Sequence, residues 1–213
     1  MTAGTQLAGE AAEPPLRERI LSAAFAAFME RGYAGTSTLD IASRAHVSKR
    51  DIYSNFRSKQ AMLAACITAR AERMRLPLQL PAPQTHGALV TALTCFGATL
   101  LREASRPEVL AVYRLAIAEA DRSPDIAETL DRLGRAKTRE ALARMLRAAQ
   151  ETGLLGRGNP REMADVFTTI LWRGGLLTRL LLRLTPSPSA TECERLAGAA
   201  TEVLLRLYPS NGA

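Results

Sequence analysis

Helix-start signals recur along the whole chain, and nowhere does a segment alternate polar and apolar residues for long enough to make a strand. Pro14-Pro15 precedes a run in which Ile20, Leu21, Ala24, Phe25 and Phe28 return at three- and four-residue spacing before Arg31-Gly32, where glycine suits a left-handed cap. Ser37 and Ser48 each stand three residues before an aspartate, Asp40 and Asp51. This is a capping box with Asp in place of Glu, and it opens two short helices to about Ala45 and Asn55. A fourth helix opens at Ser58 and runs to about Arg75. Leu76 to Gln84 carries Pro77, Pro81 and Pro83, cannot continue a helix, and reads as a linker. Beyond it Ser105-x-x-Glu108 with Pro107, Ser123-Pro124-Asp125, Asn159-Pro160 with Glu162 and Ser189-x-x-Glu192 mark further starts. They predict helices near 85–104, 107–121, 124–152, 159–184 and 190–208, so the chain reads as all-α, with about nine helices and no solenoid-like repeat.

Composition narrows the function classes. Hydrophobic residues at 47% and charged residues at 23% are an ordinary globular mix, which excludes disordered, collagen-like and coiled-coil chains. Over 213 residues such a mix can bury a sizeable core without staples. The 28 Lys+Arg against 21 Asp+Glu leave a net +7, which suits a polyanionic partner, nucleic acid first. The excess is spread, with 8 basic and 6 acidic groups in residues 1–62 and 20 and 15 beyond, so a DNA reading must rest on a motif. Cys66, Cys95 and Cys193 are odd in number and far apart, as expected of buried, reduced thiols in a cytoplasmic protein. Residues 1–15 lack a basic and apolar leader and read as a disordered tail. The uncharged run Gly87 to Leu101 is too short to cross a membrane.

The motif is Ser37 to Phe56. Leu39, Ile41, Ala42, Ala45, Val47 and Ile52 can share a small core between two short helices, the pattern of a helix-turn-helix. Ala42 is small where the helices cross, and Val47 plugs the turn. That leaves Ser48, Lys49, Arg50, Ser54 and Asn55 on an outer face rich in donors for phosphates and base edges. A solvated charged face is the plain alternative. Phe56 reads as core, Tyr53 as shared between packing and a phosphate, and Arg57-Ser58-Lys59 places a cation beside a helix N-terminus.

The run G-T-S-T-L-D-I-A-S-R-A-H-V-S-K-R-D-I-Y-S-N-F-R-S-K-Q-A-M-L resembles the DNA-binding segment of the TetR/AcrR family of bacterial transcriptional regulators. The resemblance implies a DNA-binding domain at 16–63, with an effector-binding and dimerisation domain at 64–213. It implies phosphate contacts at Ser37 and Arg44, and Ser48 at the start of the recognition helix. Base readout would fall on Lys49, Arg50 and Asp51, Tyr53 and Asn55 would take the family's Tyr and His positions, and Lys59 would be the helix-four lysine on a phosphate. Two departures stand out. His46 occupies the turn position where the family usually has Gly, and Arg50-Asp51 replace the more frequent Gly-Thr.

Beyond the linker, Trp172, Leu176, Leu180 and Leu184 line one apolar stripe, and Leu196, Ala200, Val203 and Leu207 another. Such faces fit an internal core or a partner, and the resemblance implies a four-helix seam in a homodimer. Gly174-Gly175 inside the first stripe predicts either close helix approach or a bend. The resemblance also implies an effector cavity about Phe96, Leu100, Tyr113, Arg114, Ile117, Met145, Phe167 and Leu171, where few charges suit a small apolar or aromatic ligand. His46 and His86 lack companions at ligand spacing, so neither metal nor cofactor is expected. Nucleophile elbow, phosphate loop and H-E-x-x-H signatures are missing from the sequence, which predicts no catalysis. The expected protein is a homodimeric regulator, most simply a repressor, that leaves a palindromic operator when a small effector binds. A ligand-independent DNA-binding or architectural protein is the first rival, a helical enzyme the second.

Overall fold

The computed structural model describes residues 14–73, 82–121 and 124–210, and every element among them is helical. The chain forms two compact units, Met1–Cys66 and Ile67–Ala213. The expected tail lies outside the described residues except for Pro14 and Pro15, as do Leu76 to Pro81 of the expected linker and Ser123.

In the first unit α1 (Leu16–Arg31) buries Ile20, Leu21, Ala24, Phe25 and Phe28, the predicted face, and ends at Gly32 with φ 72°. The connection to α2 is held from inside, because the buried Thr36 hydroxyl donates to the carbonyls of Gly32 at 2.8 Å and Ala27 at 3.1 Å. Helix α2 (Thr38–Ala45) and α3 (Lys49–Asn55) both begin with the predicted capping boxes at Ser37/Asp40 and Ser48/Asp51. Between them His46 adopts φ 53°, ψ 49°, the left-handed turn. A histidine reaches this region at modest cost, so the turn survives without glycine. Helix α2 packs on α1 and α3 through Ile41, Ala42 and Ala45. Leu39, expected in that core, is 67% exposed, because it stands two residues before Ile41 and so points away from the packed face. Helix α4 (Lys59–Arg73) carries the chain into the second unit.

That unit is built on α5 (His86–Ala104) and α11 (Ala190–Leu207), packed along their length, with α8 (Lys137–Glu151) and α9 (Pro160–Leu171) completing the core. Gly97 makes the crossing possible, since a Cβ there would sit 3.0 Å from both the Ala197 methyl and the Phe167 ring. Thr85 caps α5, whereas α6 (Pro107–Ala118) starts at Arg106 without a side-chain cap, and the expected cap Ser105 closes α5 instead. Helix α7 (Pro124–Asp131) continues through a π-helical turn, Arg132–Ala136, into α8 without leaving helical φ/ψ, as the single helix expected at 124–152.

The helix expected at 159–184 is broken. After α9, Gly174 (φ 68°) and Gly175 (φ 67°) turn the chain before α10 (Leu176–Leu181), and beyond the local backbone nothing lies within 4 Å of a Cβ built on either. The pair therefore makes a bend and not a close approach. Cys66 and Cys193 are buried as expected, but Cys95 is exposed on the outward side of α5, two residues past the buried Leu93. None of the helices in the described residues is long and apolar enough to cross a membrane.

Candidate nucleic-acid interface

The first unit holds its two short helices at both ends. Lys59, expected on a phosphate, is half-buried. Its Nζ donates to the carbonyls of Tyr33 at 2.8 Å and Thr36 at 2.9 Å and sits 4.3 Å from the Tyr33 ring centre. It ties the loop before α2 to the start of α4. At the other end of α2 the Arg19 guanidinium donates to the carbonyl of Ala45 at 3.0 Å and bears on that of His46, closing the left-handed turn. Arg17 lies 5.2 Å over the buried Phe56 ring. Sequence reasoning missed Arg19 and Thr36, for neither carries a local signal: their partners are carbonyls of residues remote in the chain or hidden in a turn.

The capping boxes engage Ser37, Ser48 and Asp51, three of the residues that were expected to meet DNA. The Ser37 hydroxyl donates to Asp40 Oδ2 at 2.7 Å, and that of Ser48 to Asp51 Oδ2 at 2.6 Å; each hydroxyl oxygen also accepts its partner's backbone N–H at 3.1 Å. These donors hold the carboxyls of Asp40 and Asp51 below the usual aspartate range. Asp51, expected to read bases, is thereby a helix cap. Asn55 turns its amide back to the Asp51 carbonyl at 2.9 Å and closes the last turn of α3. Arg44 forms a two-pronged pair with Glu30 across α1 and α2 and is not a free cation. Helix α3 presents Lys49, Arg50, Tyr53 and Ser54 outward, all exposed, with the Lys49 ammonium 5.9 Å from the Tyr53 ring centre and the Ser54 hydroxyl donating to the Asp51 carbonyl at 3.0 Å.

In the second unit the structure does not bring all of the expected effector residues together. Phe96, Met145, Phe167 and Leu171 fill the core at 3%, 6%, 0% and 0% exposure, with Leu100 packed against them, while Ile117 faces solvent at 60%. Tyr113 is half-buried beside Gly134 of the π-helical turn, and burial pushes its phenol up. Arg114 is committed to the end of α10, donating to the carbonyls of Leu181 at 2.7 Å and Leu180 at 2.8 Å. An open cleft of about 550 Å³ lies beside it between α6 and the end of α10, and of the expected set only Arg114 lines it.

The expected seam is likewise divided. Leu180 and Ala200 are buried in their own chain, because the bend redirects the first stripe and α5 covers the second. Leu184 and Leu207 are exposed, and Trp172, Leu176, Leu196 and Val203 are partly so. Among the described residues no cluster of three His, Cys, Asp or Glu could hold a metal ion.

A capped helix pair with a rigid turn and a cationic outward face defines a helix-turn-helix DNA-binding protein. The chain belongs to the TetR family of transcriptional regulators. The model for bacterial regulatory proteins of the tetR family matches residues 20–66, and that for the C-terminal domain of AefR-like transcriptional repressors matches residues 91–210. The HTH-type transcriptional regulator UidR of Escherichia coli is 30% identical over 188 residues, 88% of this chain and 87% of its own. An uncharacterized HTH-type transcriptional regulator of Bacillus subtilis, YvkB, is 29% identical over 168 residues, 79% of this chain and 85% of its own. Among solved structures, the flavonoid-responsive regulator FrrA superposes with a TM-score of 0.77 at 28% identity, covering 93% of this chain and 98% of its own. The family and these relatives are transcriptional regulators, not enzymes.

Proposed function

We propose that the protein is a homodimeric, cytoplasmic repressor that reads a palindromic operator with two copies of α3 and releases it when a small apolar or aromatic molecule binds the C-terminal unit. In this reading residues 16–63 are the DNA-binding domain and 64–213 the effector-binding and dimerisation domain. The observation that carries it is the outward face of α3. Lys49 and Arg50 are exposed on a helix whose start, end and turn are all fixed, so two cations are presented to a major groove with no backbone left to order.

Lys49 and Arg50 read base edges, Arg44 and Tyr53 meet phosphates, and Ser37 and Ser48 bring their helix N-termini to the backbone. Asp51, Asn55 and Lys59 hold the reading head in shape. Leu184 and Leu207, joined by Trp172, Leu176, Leu196 and Val203, supply the apolar seam between subunits. The aromatic class of effector is supported by FrrA, whose name records a response to flavonoids.

The close packing at Phe96, Phe167 and Leu171 favours a second reading, a regulator that binds its operator without ligand control. One experiment separates them. DNA fragments from the protein's own upstream region are titrated with and without candidate aromatic ligands. Specific binding that a ligand weakens supports the first reading. Specific binding that is indifferent to every ligand shown to occupy the C-terminal unit supports the second, and binding indifferent to sequence contradicts both.

A further inference from the structure

Arg44 stands in the last turn of α2, and its guanidinium is occupied before any DNA arrives. Nη1 donates to Glu30 Oε1 at 2.8 Å and Nη2 to Oε2 at 2.5 Å, a fork-to-fork geometry that a phosphate could reproduce oxygen for oxygen. A second pair of opposite polarity stands beside it, with Arg31 Nη1 donating to Asp40 Oδ1 at 3.1 Å. Asp40 and Arg44 are four apart on α2, so the last two residues of α1 and one face of α2 make a ring of four alternating charges. The Arg44–Glu30 pair is open to water, its side chains 35% and 55% exposed, so a docking anion can reach it. Through that pair Arg44 holds the Glu30 carboxyl below its usual range, so at neutral pH Glu30 is a charged rival.

We propose that Glu30 is a built-in competitor of DNA for Arg44: on docking, the guanidinium passes from the Glu30 carboxylate to a backbone phosphate, and the vacated carboxylate weakens the contact. The inference rests on the assignment of Arg44 to a phosphate above. It has a thermodynamic signature. A phosphate neutralised by a free arginine releases a counterion from the duplex, but here the freed Glu30 takes one up, so the net release from this contact is close to nothing. Glu30 thus damps both the strength and the salt dependence of binding. Arg31 and Asp40 keep α2 fastened to α1 while the exchange takes place.

The test uses the full-length protein and its Glu30→Gln, Arg44→Gln and doubly substituted forms. Each is titrated onto a duplex from the protein's own upstream region and onto a random duplex of equal length, at several salt concentrations, with thermal melts alongside. Glu30→Gln is expected to tighten binding to both duplexes by about two- to five-fold per subunit, the scale of one exposed ion pair. It should also steepen the slope of log K against log salt by about 0.9 per subunit. Adding Arg44→Gln should erase both gains. Glu30→Ala should act in the same sense, which guards against a residual hydrogen bond from Gln. Unchanged or weaker binding by Glu30→Gln and Glu30→Ala overturns the proposal, and so does a gain that persists in the double variant, which marks simple repulsion by Glu30. Should Arg44→Gln have no effect even in the Glu30→Gln background while the upstream duplex is still preferred, Arg44 is no phosphate contact, and the underlying assignment fails with the proposal. No preference for the upstream duplex by the unsubstituted protein would overturn the operator reading itself.

Discussion

Replacing Lys59 by Met separates two roles that a lysine in this position could have. Its ammonium makes two charge-assisted hydrogen bonds, at 2.8 and 2.9 Å, to carbonyls of the loop that leads into α2, and covers the Tyr33 ring at 4.3 Å. Each such bond is worth about 1.5–3 kcal/mol when shielded, and the ring contact about 0.5–1 kcal/mol. The site is only half-buried, so water can recover part of what the carbonyls lose, and the thioether keeps the apolar stem in place. A net loss of about 2 kcal/mol follows, which for a chain of this size lowers the melting temperature by about 4–8 °C. At 20 °C, where the variant is still folded, its affinity for all duplexes should fall together as the loop loosens. The salt slope should stay within a few tenths of the original, because the charge removed was not on a phosphate. Calorimetric melting and fluorescence-anisotropy titrations at three salt concentrations read both quantities on one preparation. An unchanged melting temperature together with a slope reduced by about 0.9 per subunit would refute the assignment, since that ammonium would then serve the duplex and not the loop.

Arg50→Ala should leave the melting temperature unchanged and alter which bases are preferred, read by binding to a panel of operator variants. Gly97→Ala forces a methyl to 3.0 Å from Ala197 and Phe167 in a filled core, so it should cost about 1–3 kcal/mol in denaturant unfolding. Asp40 and Asp51 titrate lower in the folded chain than in the unfolded one, so the unfolded chain takes up protons first as pH falls. Their caps contribute fully well above the ordinary aspartate value of about 3.9 and are lost below it, a loss that Asp40→Asn with Asp51→Asn should remove from melts run between pH 7 and pH 3. Leu184→Arg or Leu207→Arg places a charge on the exposed apolar faces and should give monomers in sedimentation, with specific binding lost.

Much of the fold was legible because helices announce themselves locally. Ser37 with Asp40 and Ser48 with Asp51 declare their boxes within four residues, and the apolar spacing of α1 maps directly onto its buried face. The limits of local reading lie at Leu39, Leu180 and Ala200. Apolar spacing tells that a side chain prefers a dry environment, but whether its own chain supplies that environment is decided by packing partners remote in sequence. The bend at Gly174-Gly175 moved one stripe out of register, and only the backbone geometry could choose between a bend and a close approach. The interface was legible as a surface but not as a set of contacts. Glu30 is remote from Arg44 in the sequence, and Tyr33 and Thr36 engage Lys59 through carbonyls that every residue has. The charge pattern of Glu30-Arg31 against Asp40-x-x-x-Arg44 was the one available hint of the ion pairs.

In the proposed function two copies of α3, related by symmetry, read one operator. Selection of binding sites from a random DNA library tests this most directly, run in parallel on the protein and on Arg50→Ala. An inverted repeat is expected, its half-sites about 34–36 Å or a multiple of that apart. In the variant the preferred base should change at the same position of both half-sites. Enrichment of a single asymmetric site, of no sequence at all, or of a repeat that Arg50→Ala leaves unaltered would contradict it.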